Sequence, residues 1–460
     1  MHKAFQSSYR VGLMLVHLSI STLLISGCGQ KSQGPNSSDP TATSEGNSSE
    51  SKQAVNIWWA RFEPAAGLLR MCEQYTTETG IDIKLTQIPW PSFQTEVFLE
   101  FGKDQTYFDI VVGDSQWLGK AATSGWYLEL TDWLQTVVDL ADIHPVAGKY
   151  LCQYPPASGK YWAAPCESDA MGMAYRKDWF EDPTEREAFR EKYGRELEVP
   201  KTWEELRDIA EFFQRPSEPR YGMSIPTDRS YDGLTMSYQQ MMWAFGGQWG
   251  DPDTFQVQGL LNGDSSVKAL EFFKELCRLG PPNAHNCTYP QVLESFTGGL
   301  TAMIIHYFAW FPKVVNDMGD KAGFAALPTK GGISVNSLGG QGFSISSKTS
   351  KERQALAKDF IAWFLKRENQ ERWVSIPSCF TADVSLLGSE EFRQATPYNA
   401  AFAESLGNCR DFWNVPQYGE LLASSQRYLS EAMDGEMEPK EALDALAAEH
   451  KKIFQRADVQ

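Results

Sequence analysis

The sequence predicts an α/β fold in which a parallel sheet is covered by helices on both faces, and three observations predict it. Between residues 55 and 113, strand-like apolar runs alternate with runs of helical spacing. The 460 residues are 42% hydrophobic and 13% aromatic, enough material for two to three domains with large cores. Beyond the N-terminal leader, no stretch stays apolar for the ~20 residues that a spanning helix needs. Composition also excludes low-complexity, collagen-like and wholly disordered classes. A formal net charge of −17 repels phosphate backbones at long range, so no nucleic-acid partner is expected.

The elements follow in order. Lys3 and Arg10 precede an apolar run from Val11 to Ile25, the pattern of an export signal over residues 1–27. Ile25-Ser26-Gly27-Cys28 resembles the bacterial lipoprotein signal, in which Cys28 becomes the acylated N-terminus. Residues 28–54 carry almost no large apolar side chain and read as a flexible tether. Val55-Asn56-Ile57-Trp58-Trp59 reads as a buried strand, Pro64 to Thr79 as a helix ended by Gly80, and Ile81, Ile83 and Leu85 as a second strand. A helix at Phe93 to Lys103 and a strand at Phe108 to Gly113 complete βαβαβ. Ligands on such sheets sit at strand carboxyl ends, which directs attention to the loops after Trp59 and Gly113. Thr202 and Glu205 form a capping box for a helix reaching Gln214, and Ser265 or Ser266 is expected to cap a helix through Leu279. Thr301 to His306 and Gln341 to Ser346 read as strands, and helices are expected at 351–367, 417–434 and 439–456.

Cysteine usage fits an exported chain. The most local pairings are Cys152 with Cys166, Cys277 with Cys287 and Cys379 with Cys409, leaving Cys72 free. No CxxC is present and the histidines are scattered, so no metal site and no cofactor are expected. Asn286-Cys287-Thr288 has the glycosylation pattern, silent in a bacterial protein.

The remaining chemistry is aromatic rings beside acids and amides. Trp58 and Trp59 are adjacent, so in a strand their rings point to opposite faces and only one joins the core. Trp90, Trp117, Trp243, Trp249, Tyr307, Trp310 and Trp413 beside Asn414 lie at loops or strand ends. Flat rings suit the C–H face of a sugar, and carboxylates and amides such as Asp114, Gln116, Glu167, Asp169 and Gln341 suit its hydroxyls. Core packing of each ring, and helix capping by Asp114, are the bland alternatives. Glu167 and Asp169 also have the composition of a glycosidase acid pair. The G-x-S-x-G, H-E-x-x-H, Walker A and dinucleotide signatures are absent.

Several segments, in order, resemble a family 1 extracellular solute-binding protein of a bacterial ABC importer. They are Phe108 to Val112 followed by Gly125 to Leu130, Lys160 to Pro165, and Met173 to Asp178. Pro200-Lys201-Thr202-Trp203-Glu204-Glu205-Leu206 matches that family's motif almost letter for letter, and Gly299 to Met303, Asn414 to Gln417 and Glu441 to Leu443 follow. The resemblance implies a periplasmic-binding-protein-like fold: two α/β lobes, a hinge and a ligand cleft between the lobes. It places residues 55–166 and about 301–347 in an N-terminal lobe, and about 167–300 and 348–460 in a C-terminal lobe. It implies a monomeric, non-catalytic lipoprotein that captures a small neutral sugar or polyol by closure and hands it to permease subunits. Cys28 would hold it at the membrane surface. The site it implies comprises Trp58, Trp59, Asp114, Gln116, Trp117, Glu167, Asp169, Trp243, Trp249, Tyr307, Trp310, Gln341, Trp413 and Asn414. Departures from the family's maltose binders, Gln116 for an aspartate and Leu421 or Leu422 for a tryptophan, point away from maltose. A cationic solute such as a quaternary amine or polyamine is the alternative cargo. A secreted glycosidase or a solute-free surface scaffold would be different classes of protein.

Overall fold

The computed structural model describes residues 54–457; the expected leader, the Cys28 lipidation site and the tether up to residue 53 lie outside these residues. Nine strands form one path of sheet: β1 (Ala54–Ala60), β2 (Asp82–Ile88), β3 (Ile110–Asp114), β4 (Ala164–Arg176), β5 (Tyr221–Ser224), β6 (Thr301–Tyr307), β7 (Ala322–Ala325), β8 (Asn336–Ile345) and β9 (Cys409–Arg410). The order is β2-β1-β3-β8-β4-β6-β5, with β7 beside β4 and β9 beside β8. β1 runs parallel to β2 and β3, as βαβ crossovers require.

β4 is the pivot of this arrangement. Its first half, Ala164 to Ala170, pairs antiparallel with β8 in the sheet of β1–β3, and its second half, Met171 to Arg176, pairs with β6 and β7. The chain thus makes two sheets that share one strand, each covered by helices. One large core holds Val55, Ile57 and Trp59 of β1 with Ile110, Val111 and Val112 of β3. A second holds Met171, Met173, Met303 and Ile305 with the apolar faces of the helices Trp203–Phe213 and Asp264–Arg278.

Local rules explain most element ends. Gly80 closes the helix Glu63–Thr79 at φ +76, a left-handed position that glycine adopts freely. Thr202 Oγ1 accepts from the Glu205 amide at 3.2 Å and Glu205 Oε2 accepts from the Thr202 amide at 3.3 Å, completing the expected capping box. The helix beginning at Asp264 is capped by Gly263 rather than by a serine; Ser266 Oγ instead donates to the Leu260 carbonyl at 3.0 Å. Thr288, part of the glycosylation-like triplet, caps the helix Tyr289–Thr297.

Two expectations about the lobes are corrected. β6 and β7, expected with the N-terminal lobe, pair with the second half of β4 and with β5, so they belong to the second sheet. The helix Lys351–Phe364, expected in the C-terminal lobe, packs its Phe360, Ile361 and Phe364 into the first core. Arg353 locks it there: its guanidinium forks the buried Asp109 carboxylate just before β3, with Nε 2.6 Å from Oδ1. The expected disulfides are also absent. All seven described cysteines are buried free thiols, among them Cys166 of β4 and Cys72 of the helix Glu63–Thr79. Five lie in helices or strands and Cys287 and Cys379 in loops, and all face the interior, where they act as small apolar side chains. Among the described residues no helix is long and apolar enough to cross a membrane.

Candidate functional site

Strand ends and crossing strands converge on one cavity. Phe62 follows β1, Trp90 follows β2, Asp114 ends β3 and Gln116 sits in the single 3-10 turn behind it. β4 contributes Glu167 and Asp169, two residues apart and therefore on one face of the strand. Antiparallel pairing sets Gln341 of β8 opposite both Asp114 and Glu167, and Gly339 opposite Asp169. From the second-sheet side come Asp232, Tyr289, Tyr307 and Trp310. The empty space they bound is about 560 Å³ including the mouth, within the ~300–1,000 Å³ range of small-molecule clefts.

Asp114 does two things at once. Its Oδ1 accepts from the Gln116 amide at 3.4 Å and from Ser115 Oγ at 3.2 Å, so it caps the turn, while the carboxyl also faces the cavity. Tyr231 donates to Asp114 Oδ2 at 3.3 Å and accepts from Trp117 Nε1 at 3.1 Å. Asp169 accepts from the amides of Ala170 at 2.7 Å and Ala309 at 3.3 Å. Tyr289 donates to Asp232 Oδ1 at 3.2 Å. Glu167 is different: it is 1% exposed and neither carboxyl oxygen has a partner. The side-chain oxygens of Gln116 and Gln341 and the indole N–H of Trp90 are likewise buried without partners. Such groups are costly unless something completes their hydrogen bonds.

Burial governs the protonation of these acids. It raises Asp114 to about 6, against the pull of the hydrogen bonds it accepts from Gln116, Ser115 and Tyr231. Glu167 and Asp169 are both pushed up by desolvation, and Glu167 further by the charge of Asp169. Asp232 rises for the same first reason, then through Asp114 and Asp228. His306, behind Trp310 at 5.4 Å between rings, is pushed down to about 4 by burial and stays neutral.

The fourteen side chains singled out in the sequence divide by position. Asp114, Gln116, Glu167, Asp169, Tyr307, Trp310 and Gln341 line the cavity. Trp59 is fully buried behind it, edge-on to Phe62 at 5.2 Å, and Trp58 points from the opposite face of β1 onto Tyr107 and Phe108. Trp117 packs on Phe93 and Phe98 beneath the floor. Trp243, Trp249 and Trp413 are buried in the second core, the last between Phe255 and Phe454. Asn414 accepts the Gly119 amide at 2.7 Å, a structural bond away from the cavity. The sequence reading named Trp90 among its candidate rings but left it out of the implied site, and it omitted Phe62, Asp232 and Tyr289. The strand-end rule applied to β2 points to Trp90, and the residue pair Tyr231-Asp232 before a helix is a weaker pointer. Nothing in the local sequence marks Tyr289.

The cavity has aromatic walls, carboxyl and amide groups from crossing strands, and no cluster of three ligating side chains that could hold a metal among the described residues. Similar proteins share this architecture. An ABC transporter solute-binding protein from Agrobacterium radiobacter K84, solved with ribitol, superposes with a TM-score of 0.74 at 25% identity, over 87% of this chain and 99% of that one. Maltose-bound MalE3 of T. maritima gives 0.75 at 21% identity, over 87% and 99%, which speaks to the fold alone. The mannitol-binding protein of Pseudomonas aeruginosa is 22% identical over 328 residues, 65% of this chain and 70% of that protein. Residues 59–371 match the family described as bacterial extracellular solute-binding protein. With two helix-covered sheets joined at β4 beside this cleft, the chain belongs to the bacterial extracellular solute-binding protein family, whose members bind solutes for ABC transporters and are not enzymes.

Proposed function

We propose that this protein captures a sugar or polyol in the cleft and delivers it to the permease of an ABC importer. One observation carries the reading: the cavity pairs the rings of Trp90, Tyr289, Tyr307 and Trp310 with the unpartnered oxygens of Gln116, Glu167 and Gln341. Rings stack on C–H faces while the oxygens and the Trp90 N–H meet hydroxyls, which makes binding selective for hydroxyl placement. A cavity of about 560 Å³ has room for one sugar ring or a linear polyol. Ribitol, with which one relative above was solved, and mannitol, for which the other is named, are linear polyols of this size class. Solute bridging both sides stabilises the closed form in proportion to its differential affinity for it, and the closed form is what a permease would recognise. Acylated Cys28 and the tether that follows would keep a monomeric body at the membrane surface, on the outer face of the cell membrane or in the periplasm.

A thermal-shift screen over monosaccharides, pentitols, hexitols and their amino derivatives tests the reading. Binding at ~100-fold above Kd adds about 2.7 kcal/mol to stability, a readily measured shift. Small-angle scattering with the hit should show contraction. No shift with any of these, or a shift that Trp310→Ala leaves intact, overturns it.

A further inference from the structure

The cavity is acceptor-rich and acidic to a degree that hydroxyls do not match. Asp114, Glu167, Asp169 and Asp232 all line it, and among the described lining residues there is no lysine, arginine or histidine. Outside the cleft, buried Asp109 is forked by Arg353 and half-buried Glu185 by Arg215 and Arg220 at 2.6–2.8 Å, whereas buried Asp228 and Asp411 meet only amides and a hydroxyl. In the cleft the acids receive backbone amides, the hydroxyls of Ser115, Tyr231 and Tyr289 and the side-chain amide of Gln116, and no base. Glu167 receives nothing at either oxygen, although it is 99% buried by side-chain and backbone neighbours. Gln341, opposite it on β8, also presents an unpartnered oxygen.

We propose that the natural solute is a polyhydroxylated amine, an amino sugar or amino polyol, whose ammonium group is seated against Glu167 and Asp169. An ammonium supplies three N–H donors and no acceptor, the complement of a wall built of acceptors. Its charge compensates the two carboxylates on one face of β4, whose mutual repulsion and burial otherwise favour holding a proton there. Trp310 and Tyr289, nearly parallel with ring centroids 6.5 Å apart, offer ring faces that attract a cation. A metal ion does not meet these observations, because no three of the acids approach one another at ligating range. A simple polyamine leaves the Trp90 N–H without the hydroxyl oxygen that would satisfy it. This proposal rests on the reading of the cleft as a sugar or polyol site and narrows it.

Titration calorimetry on the full mature chain with matched probes tests it: D-mannitol against 1-amino-1-deoxy-D-mannitol, ribitol against 1-amino-1-deoxyribitol, and D-glucose against D-glucosamine. The amine member of at least one pair should bind tenfold or more tightly than its neutral partner, and Glu167→Gln should bring that ratio close to one. Asp169→Asn gives the same reading should Glu167→Gln fail to fold. Neutral members binding as tightly as or more tightly than the amines in every pair overturns the amine proposal and leaves the sugar or polyol reading standing. Binding of neither set at millimolar concentration, with putrescine or choline binding instead, overturns both.

Discussion

Replacing Gly340 with alanine should damage both the fold and the site, by an amount that the geometry bounds. Gly340 lies on the cavity wall at φ +101, and a Cβ there would stand 2.4 Å from the Glu167 carbonyl oxygen, 2.9 Å from the Asp169 amide nitrogen and 2.9 Å from Ser168 Cα. All three are backbone atoms, so no rotamer change relieves the clash. The backbone conformation alone costs about 1–3 kcal/mol with a side chain. Forcing β8 away from β4 adds about 1–3 kcal/mol of overpacking. Gly80→Ala isolates the first cost, since Gly80 has φ +76 but no atom within 4 Å of its would-be Cβ. Urea unfolding of the two variants, followed by fluorescence and circular dichroism, should place Gly340→Ala below Gly80→Ala by about 1–3 kcal/mol. Because the displaced backbone carries Glu167 and Asp169, solute affinity should also fall at least tenfold in Gly340→Ala only. Equal stabilities within about 0.5 kcal/mol, or unchanged affinity, would refute the close approach of these strands.

Other outcomes follow from the same geometry. Trp310→Ala should weaken solute binding by about 1–3 kcal/mol while changing ligand-free stability much less, because the ring is only half-buried; calorimetry showing an unaltered Kd removes Trp310 from the site. Ligand-free stability should fall as pH rises from 6 to 8. The folded state holds protons on Glu167, Asp169 and Asp232 that unfolded carboxyls release near pH 4, so their raised pKa values make stability drain away with rising pH. His306 and His450, lowered to about 4, act in the opposite sense but only below about 6.5. Glu167→Gln should flatten the decline, and melting temperatures that are level across this window contradict the burial of these acids. The seven body cysteines should resist a thiol reagent until urea is added, and dithiothreitol should not lower the melting temperature; a reductant-sensitive melt would mean a disulfide forms.

What could be read from the sequence depended on how local its cause was. β1 to β3 and their helices were legible because period and helix-stop signals lie within each segment. The helix Gly233–Ala244 was not, since it is buried on every side and its Ser237, Gln239 and Gln240 break any apolar stripe. The short strands β5, β7 and β9 owe their existence to pairing partners far away in the chain. The same division runs through the cleft. Asp114 and Gln116 follow a recognisable strand end, and Glu167 and Asp169 share a strand face, so local reasoning reached them. Trp243, Trp249 and Trp413 look identical to a wall residue in one dimension, and only the packing of the second core separates them. Phe62 and Asp232 needed the converse, a knowledge of which loops meet.

The shared strand has a kinetic corollary. Glu167 sits on the half of β4 paired with β8, at the seam between the two sheets, so it rides the axle of the molecule rather than the far jaw. A visiting solute can dock on this axle and on Gln341 before the jaws meet, and only afterwards collect Asp232 and Tyr289. Substitutions on the axle should therefore slow capture as well as hasten escape, whereas those on the far jaw should shorten residence and leave the arrival rate as it was.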